Sequence, residues 1–185
     1  MNNTLKPLGA EEEAIEKRLS GALRKSDDRA TLLSLLRLCS VIAIVLILFF
    51  SFFGFTTVRD RDMYPALFPG DLALTYRYPS FRKGEIVVYE TGDGKQIGRI
   101  AAKAGDVIDF SADGKFYVNG TAQTTEIFFP TYPPEGWQGS TVVPEGKVFI
   151  LGDYRTQSAD SRRFGFIDKS SVKSKIISLL RHNQL

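Results

Sequence analysis

A chain of 185 residues has room for one domain plus an appendage. Its net charge of +3 is too small and too scattered to argue for nucleic acid, and no RRM, zinc-finger or helix-turn-helix signature is present. One cysteine, Cys39, excludes an intrachain disulfide and a Cys-rich metal cluster, and the one histidine, His182, reads as a tail residue, so no metal or cofactor is expected and hydrolytic chemistry must work without histidine.

In chain order, residues 10–30 read as a charged helix. Glu13 precedes Lys17 by four, a favourable pair, and Ile15, Leu19, Ala22 and Leu23 form a modest apolar stripe. Residues 38–55, LCSVIAIVLILFFSFFGF, are uncharged and about the length of a membrane-spanning helix. Because every side of this helix would be apolar, a buried core helix is the weaker reading in a chain of this size. A cleavable signal peptide would need small residues where FSFFGF stands, and would start earlier in the chain. Lys17, Arg18, Arg24, Lys25, Arg29 and Arg37 outnumber Asp27 and Asp28 on the N-terminal flank, whereas Arg59 and Arg61 are balanced by Asp60 and Asp62 on the other. The positive-inside rule then puts the N-terminus in the cytoplasm. The expected division is 1–37 cytoplasmic, 38–55 transmembrane and 56–185 extracytoplasmic, in a single-pass protein of the cell membrane.

Beyond the span the pattern turns to short strands. Residues 71–77 alternate, 85–90 are β-branched and apolar, and Gly92-Asp93-Gly94 turns the chain back into 96–100. A second hairpin is expected around Asp113-Gly114 and a further turn at Asn119-Gly120. Residues 128–139, rich in proline and aromatics, read as a loop, and KVFIL follows the turn at 144–146. The tail VKSKIISLLR fits strand or helix. The outer domain is therefore expected to be mainly β, built on its own core.

The run from Gly152 to Gly165, GDYRTQSADSRRFG, is the most specific stretch. Aspartates and arginines at this spacing suit a network of bidentate hydrogen bonds holding one loop in place, with Asp153, Arg155, Ser158, Asp160, Ser161 and Arg162 as members. Earlier come Met63-x-Pro65-x-Leu67-x-x-Gly70-Asp71, then Arg99 with Gly105-Asp106 behind it. This ordered set, after a membrane anchor, resembles the boxes of type I signal peptidases in their compact Gram-positive form. The resemblance covers roughly residues 38–181 and implies a signal-peptidase-like β-barrel or sheet domain. It further implies a serine just before the Met-x-Pro and a lysine just before the arginine of the second box. Such a lysine, made neutral by apolar burial, would take the proton of the serine hydroxyl.

Both positions differ here: the nucleophile position is Asp62 and the base position is Gly98. Glycine takes no proton, and a carboxylate does not easily attack a peptide carbonyl. Lys95 and Lys103 lie an odd number of residues from 98 and should point to the other face of a strand. Ser161 should brace its own loop. A water-activating pair of Asp62 with Asp153 or Asp160 would be a different enzyme. The expectation is a protein that is not an enzyme, its dyad positions degenerate. Its partners, by resemblance to noncatalytic relatives in Gram-positive pilus assembly, would be a pilin precursor, the sortase machinery, or both. The alternative is an active signal-peptidase-type endopeptidase using noncanonical residues. A shallow cleft is expected between strands near 62–67 and 96–100, with Asp62, Met63, Pro65, Ile97, Gly98 and Arg99 contributing to it. Strand addition would bind an extended partner there.

Overall fold

The structure, a computed structural model, describes residues 8–77, 80–123 and 128–181, with side chains except those of residues 8–12, 22–27 and 30. His182 lies outside the described residues, as do the side chains of Ala22 and Leu23. The chain divides between Phe49 and Phe50 into a helical unit and a β unit.

Helix α1 (Leu8–Phe52) runs without a glycine or proline after Gly21, so no residue in its apolar half breaks the backbone ladder. Its segment Thr31–Phe52 has 22 residues and a mean hydropathy of 2.8. At about 1.5 Å per residue it is ~33 Å long, enough to cross a hydrocarbon core of about 30 Å. Among the described residues it is the one helix long and apolar enough to do so. Ile15 and Leu19, from the N-terminal stripe, are exposed.

The second unit is mainly β. Its strands are β1 (Phe53–Thr57), β2 (Leu72–Tyr76), β3 (Ile86–Thr91), β4 (Gly94–Lys103), β5 (Val107–Phe110), β6 (Phe116–Val118), β7 (Thr121–Ala122), β8 (Thr141–Val142), β9 (Lys147–Leu151), β10 (Ile167–Asp168) and β11 (Val172–Leu180), with a single helical turn, α2 (Ser161–Phe164), before β10. Seven strands form one antiparallel sheet in the order β1-β2-β11-β3-β4-β9-β10, and four form a smaller one in the order β7-β6-β5-β8. Asn119 and Gly120 both have positive φ, 53° and 77°. That is the combination a two-residue hairpin turn needs, and Asn-Gly provides it between β6 and β7.

The tail, open between helix and strand from its pattern, is the strand β11. It completes the sheet by pairing with β2 on one side and β3 on the other. The segment 62–67, expected as a strand, is instead a turn in which Leu67 N–H donates to the Met63 carbonyl at 2.9 Å. Pro65 lacks the N–H that a ladder would use at its centre. The turn buries Met63 and Leu67 with Val58 against Ile86, Ile97, Ile176 and Leu179. The opposite face of the large sheet packs Val87, Tyr89, Ile100 and Ile150. A third cluster joins Ile108, Phe110, Phe116 and Val118 of the small sheet to Ala101, Phe149 and Leu151. Successive residues of β3 and β4 thus serve opposite faces, as the pleat dictates.

Candidate functional site

Although β1 and β4 stand three strands apart in the sheet, the sheet curls enough for both to line one groove of about 270 Å³. Phe55, Thr57, Asp62, Met63, Lys95 and Ile97 are among its lining residues. Both strands present unused backbone there. Among the described residues β1 pairs only with β2. Val58 donates to Asp71 and accepts from Gly70, both on the β2 side, so alternation turns the N–H and C=O groups of Phe55 and Thr57 toward the open edge. In β4 the pairing with β9 begins at Arg99. Ile100 exchanges bonds with Gly84 and Glu85 on the β3 side, so the backbone groups of Lys95 and Ile97 face the other way, into the groove. Two open strand edges in one groove are a template for an extended peptide.

Asp62 lies at the inner end, on the turn that follows β1. Its carbonyl accepts from Tyr154 N–H at 2.9 Å, and its carboxylate Oδ2 accepts from Ala159 N–H at 3.2 Å. Both ties reach the Gly152–Gly165 loop, so that loop sets where the carboxylate stands. Partial burial raises the Asp62 pKa; the Ala159 N–H opposes the rise, and the charges of Asp60 and Asp160 add to it.

Gly98 follows Ile97 directly in the chain but faces elsewhere. A β-carbon built on it would stand 2.5 Å from Ile150 Cγ2 and 3.2 Å from the Tyr89 ring. The space a side chain at 98 would use is filled by the core on the far face of β4. Of the six residues assigned to a cleft from the sequence, Asp62, Met63 and Ile97 line the groove. Pro65 and Arg99 line a second, shallower hollow with Ala66, Phe128 and Asp153. Gly98 lines neither of these two hollows.

The loop after β9 is cross-braced. Arg99 grips Asp153 with two hydrogen bonds of 2.9 and 2.6 Å and donates to the Gly84 carbonyl at 2.7 Å. Asp160 caps α2 through Arg162 N–H, takes the Arg162 guanidinium on both oxygens, and also accepts from Ser158 and Gly152. Ser161 accepts from Ile150 N–H at 2.9 Å, and Arg155 donates to the Gly152 carbonyl and Thr131. Burial lowers the Arg155 pKa to about 10. Asp153 and Asp160 are thus both engaged by arginine, whereas no arginine among the described residues pairs with Asp62.

Phe55, Thr57 and Gln96 were not among the sequence candidates, and Lys95 was considered only as a replacement base and set aside by strand parity, although all four line the groove. Strand parity does place Lys95 opposite Gly98, but the groove face is that of Lys95 and Ile97. The side chains of Ile97 and of any residue at 98 point to opposite faces of the strand, and Lys95 shares the face of Ile97; that parity was the signal that could have found Lys95. Among the described residues no group of three His, Cys, Asp or Glu side chains is placed to hold a metal ion.

Comparison with known proteins gives the family. The family described as signal peptidase, peptidase S26, matches residues 32–180. The chain is 28% identical over 141 residues to signal peptidase IB of Staphylococcus aureus, covering 65% of this chain and 73% of that protein. It is 29% identical over 141 residues to signal peptidase I of Bacillus caldolyticus, covering 67% and 77%. A solved structure of a signal peptidase I from Enterococcus faecalis V583 aligns with a TM-score of 0.44 and 22% identity, over 54% of this chain and 98% of that one. The expectation that the chain is not an enzyme is corrected by these matches. The family and its named relatives are peptidases, and two changed residues are not a demonstration of lost turnover.

Proposed function

The chain belongs to the signal peptidase S26 family, and from that premise we propose that its β unit receives an extended segment of an exported polypeptide. The occupant lies in the groove between β1 and β4 and pairs with both strands. The observation that carries this is the pair of open edges, at Phe55 and Thr57 on one side and Lys95 and Ile97 on the other. α1 anchors the unit in the membrane through Thr31–Phe52, with the N-terminal side of that span in the cytoplasm and the β unit outside, in keeping with the basic N-terminal flank. The exported segment is taken to belong to a pilin precursor, to its sorting machinery, or to both, on the resemblance to noncatalytic members of the family in Gram-positive pilus assembly.

A second reading, favoured by the relatives' names and by Asp62 at the inner end of the groove, is an endopeptidase without the serine–lysine pair. A carboxylate whose pKa is raised by burial can act as a general base toward water.

One experiment separates the two. The full chain in detergent micelles is mixed with a labelled pilin-precursor segment, and binding is read by anisotropy while mass spectrometry follows the peptide. The proposal expects binding that Thr57→Pro weakens at least ~10-fold, because proline removes a donor from the open edge and none from the β1–β2 ladder. Binding unaffected by that change would sink the strand-addition model. New peptide termini that vanish with Asp62→Ala would establish the second reading.

A further inference from the structure

The charges along the groove are unevenly answered. Its charged lining residues are Arg59, Asp60, Asp62 and Lys95. Arg59 and Asp60 are successive, exposed and opposite in sign, so together they add no net charge. That leaves Asp62 and Lys95, and the topology sets them apart. Four successive antiparallel pairings, β1 with β2, β2 with β11, β11 with β3 and β3 with β4, leave β1 and β4 running in the same direction. Lys95 therefore precedes Ile97 along the groove as Phe55 precedes Thr57, and Asp62 lies beyond Thr57. Lys95 marks the outer end and Asp62 the inner one.

Lys95 is exposed and, among the described residues, makes no ion pair. Glu90 stands directly across from it on β3, so the two side chains share a face. The Glu90 carboxylate, however, pairs with Lys173 at 3.4 Å. Two residues along β4, Ile97 shares the face of Lys95 and packs with Val58 and Met63. One wall of the groove thus offers an apolar site at Ile97 and, one pleat repeat of about 7 Å farther out, an unanswered ammonium.

The geometry points to Lys95 as a specificity-determining residue: in an extended occupant of the groove it selects an acidic side chain two residues from an apolar one. The assignment rests on the strand-addition reading of the groove. An occupant paired with the open edge of β4 sets one residue beside Ile97 and the next but one beside Lys95, both side chains on the lysine's face. An apolar side chain beside Lys95 would strip water from the ammonium and return nothing. A basic one would meet a like charge. A carboxylate supplies the partner, and the occupant's own backbone shields the pair from solvent, so it counts for more than an exposed ion pair. An acidic side chain at the inner end would face the Asp62 carboxylate instead, so the position of the acid matters and not only its presence.

The test uses the full chain in zwitterionic detergent micelles and labelled synthetic peptides, with binding read by anisotropy. Each peptide has a Ser/Thr frame, one valine and, two residues before or two residues after it, Glu, Gln or Lys. In one of these two orders the Glu peptide should bind at least ~10-fold tighter than the Lys peptide. Lys95→Glu should reverse that ranking, Lys95→Gln should flatten it, and salt at about 1 M should shrink it by screening. A ranking that survives Lys95→Glu, or the absence of any ranking in both orders, would overturn the assignment. Thr57→Pro, run alongside, separates the two levels. Peptides bound without a charge ranking but weakened by Thr57→Pro leave strand addition standing and remove only the role of Lys95. Binding indifferent to Thr57→Pro, or no binding by any peptide of the set, removes strand addition and this inference with it.

Discussion

A β-carbon at position 98 would stand 2.5 Å from Ile150 Cγ2, and Ile150 is wholly buried. Gly98→Ala should therefore cost about 1–3 kcal/mol as an overpacked core, measured by urea denaturation. Trimming the obstacle in the Gly98→Ala/Ile150→Ala double variant should show coupling, costing less than the sum of the single changes. Installing a lysine at 98 would need the same clearance. Arg99 is a different kind of residue: it holds the buried Asp153 and the Gly84 carbonyl together. Arg99→Ala leaves Asp153 buried without its charge partner, and should cost about 3–5 kcal/mol in the same assay. Asp62 gives a pH signature. Its folded pKa is raised above the ordinary 3.8, so the native state holds the proton more tightly than the unfolded chain. Its contribution to stability is present below the unfolded pKa and is lost as pH rises through the folded value. Asp62→Asn should flatten that decline in the urea midpoint across mildly acidic pH. Asp106 runs the other way: burial pushes its pKa up, but the Lys103 N–H, Asn119 and Lys83 outweigh it and lower the pKa, so its contribution is lost as pH falls.

At the scale of elements, periodicity and turn chemistry carried far. The alternation in 71–77, the Gly-Asp-Gly turn at 92–94 and the KVFIL run each correspond to a strand or turn. They were legible because a half-buried strand needs alternating side chains and a tight turn needs glycine or asparagine. Two things were not legible. The segment 62–67 has apolar residues at strand-like and helix-like spacings alike, and only the proline at 65 argues against a ladder. The groove itself depends on the curl that brings β1 to β4, a property of the whole sheet that no local window contains. The network after β9 was readable as a group because Asp and Arg at that spacing have few other uses. That Asp160 would be saturated while Asp62 accepts one side-chain bond among the described residues could be read only from the folded chain. Thr57→Pro tests the element-scale account, since it removes a groove-facing N–H while the β1–β2 ladder and the melting temperature should remain.

For the whole molecule, the apolar half of α1 and the charge imbalance beside it predict one orientation. In intact cells with Cys39→Ser, a cysteine placed at Ser171 should react with a membrane-impermeant maleimide, and one at Ser20 should not. Reversal of that pattern would overturn the topology. The central claim, an extended segment lying between β1 and β4, is tested most directly by amide hydrogen exchange of the full chain with and without a pilin-precursor segment. The account predicts slowed exchange at the amides of Phe55, Thr57, Lys95 and Ile97, with their strand neighbours Gly54, Thr56, Gln96 and Gly98 unchanged. Protection elsewhere, or none at these four amides in a sample where the peptide is bound, would contradict it.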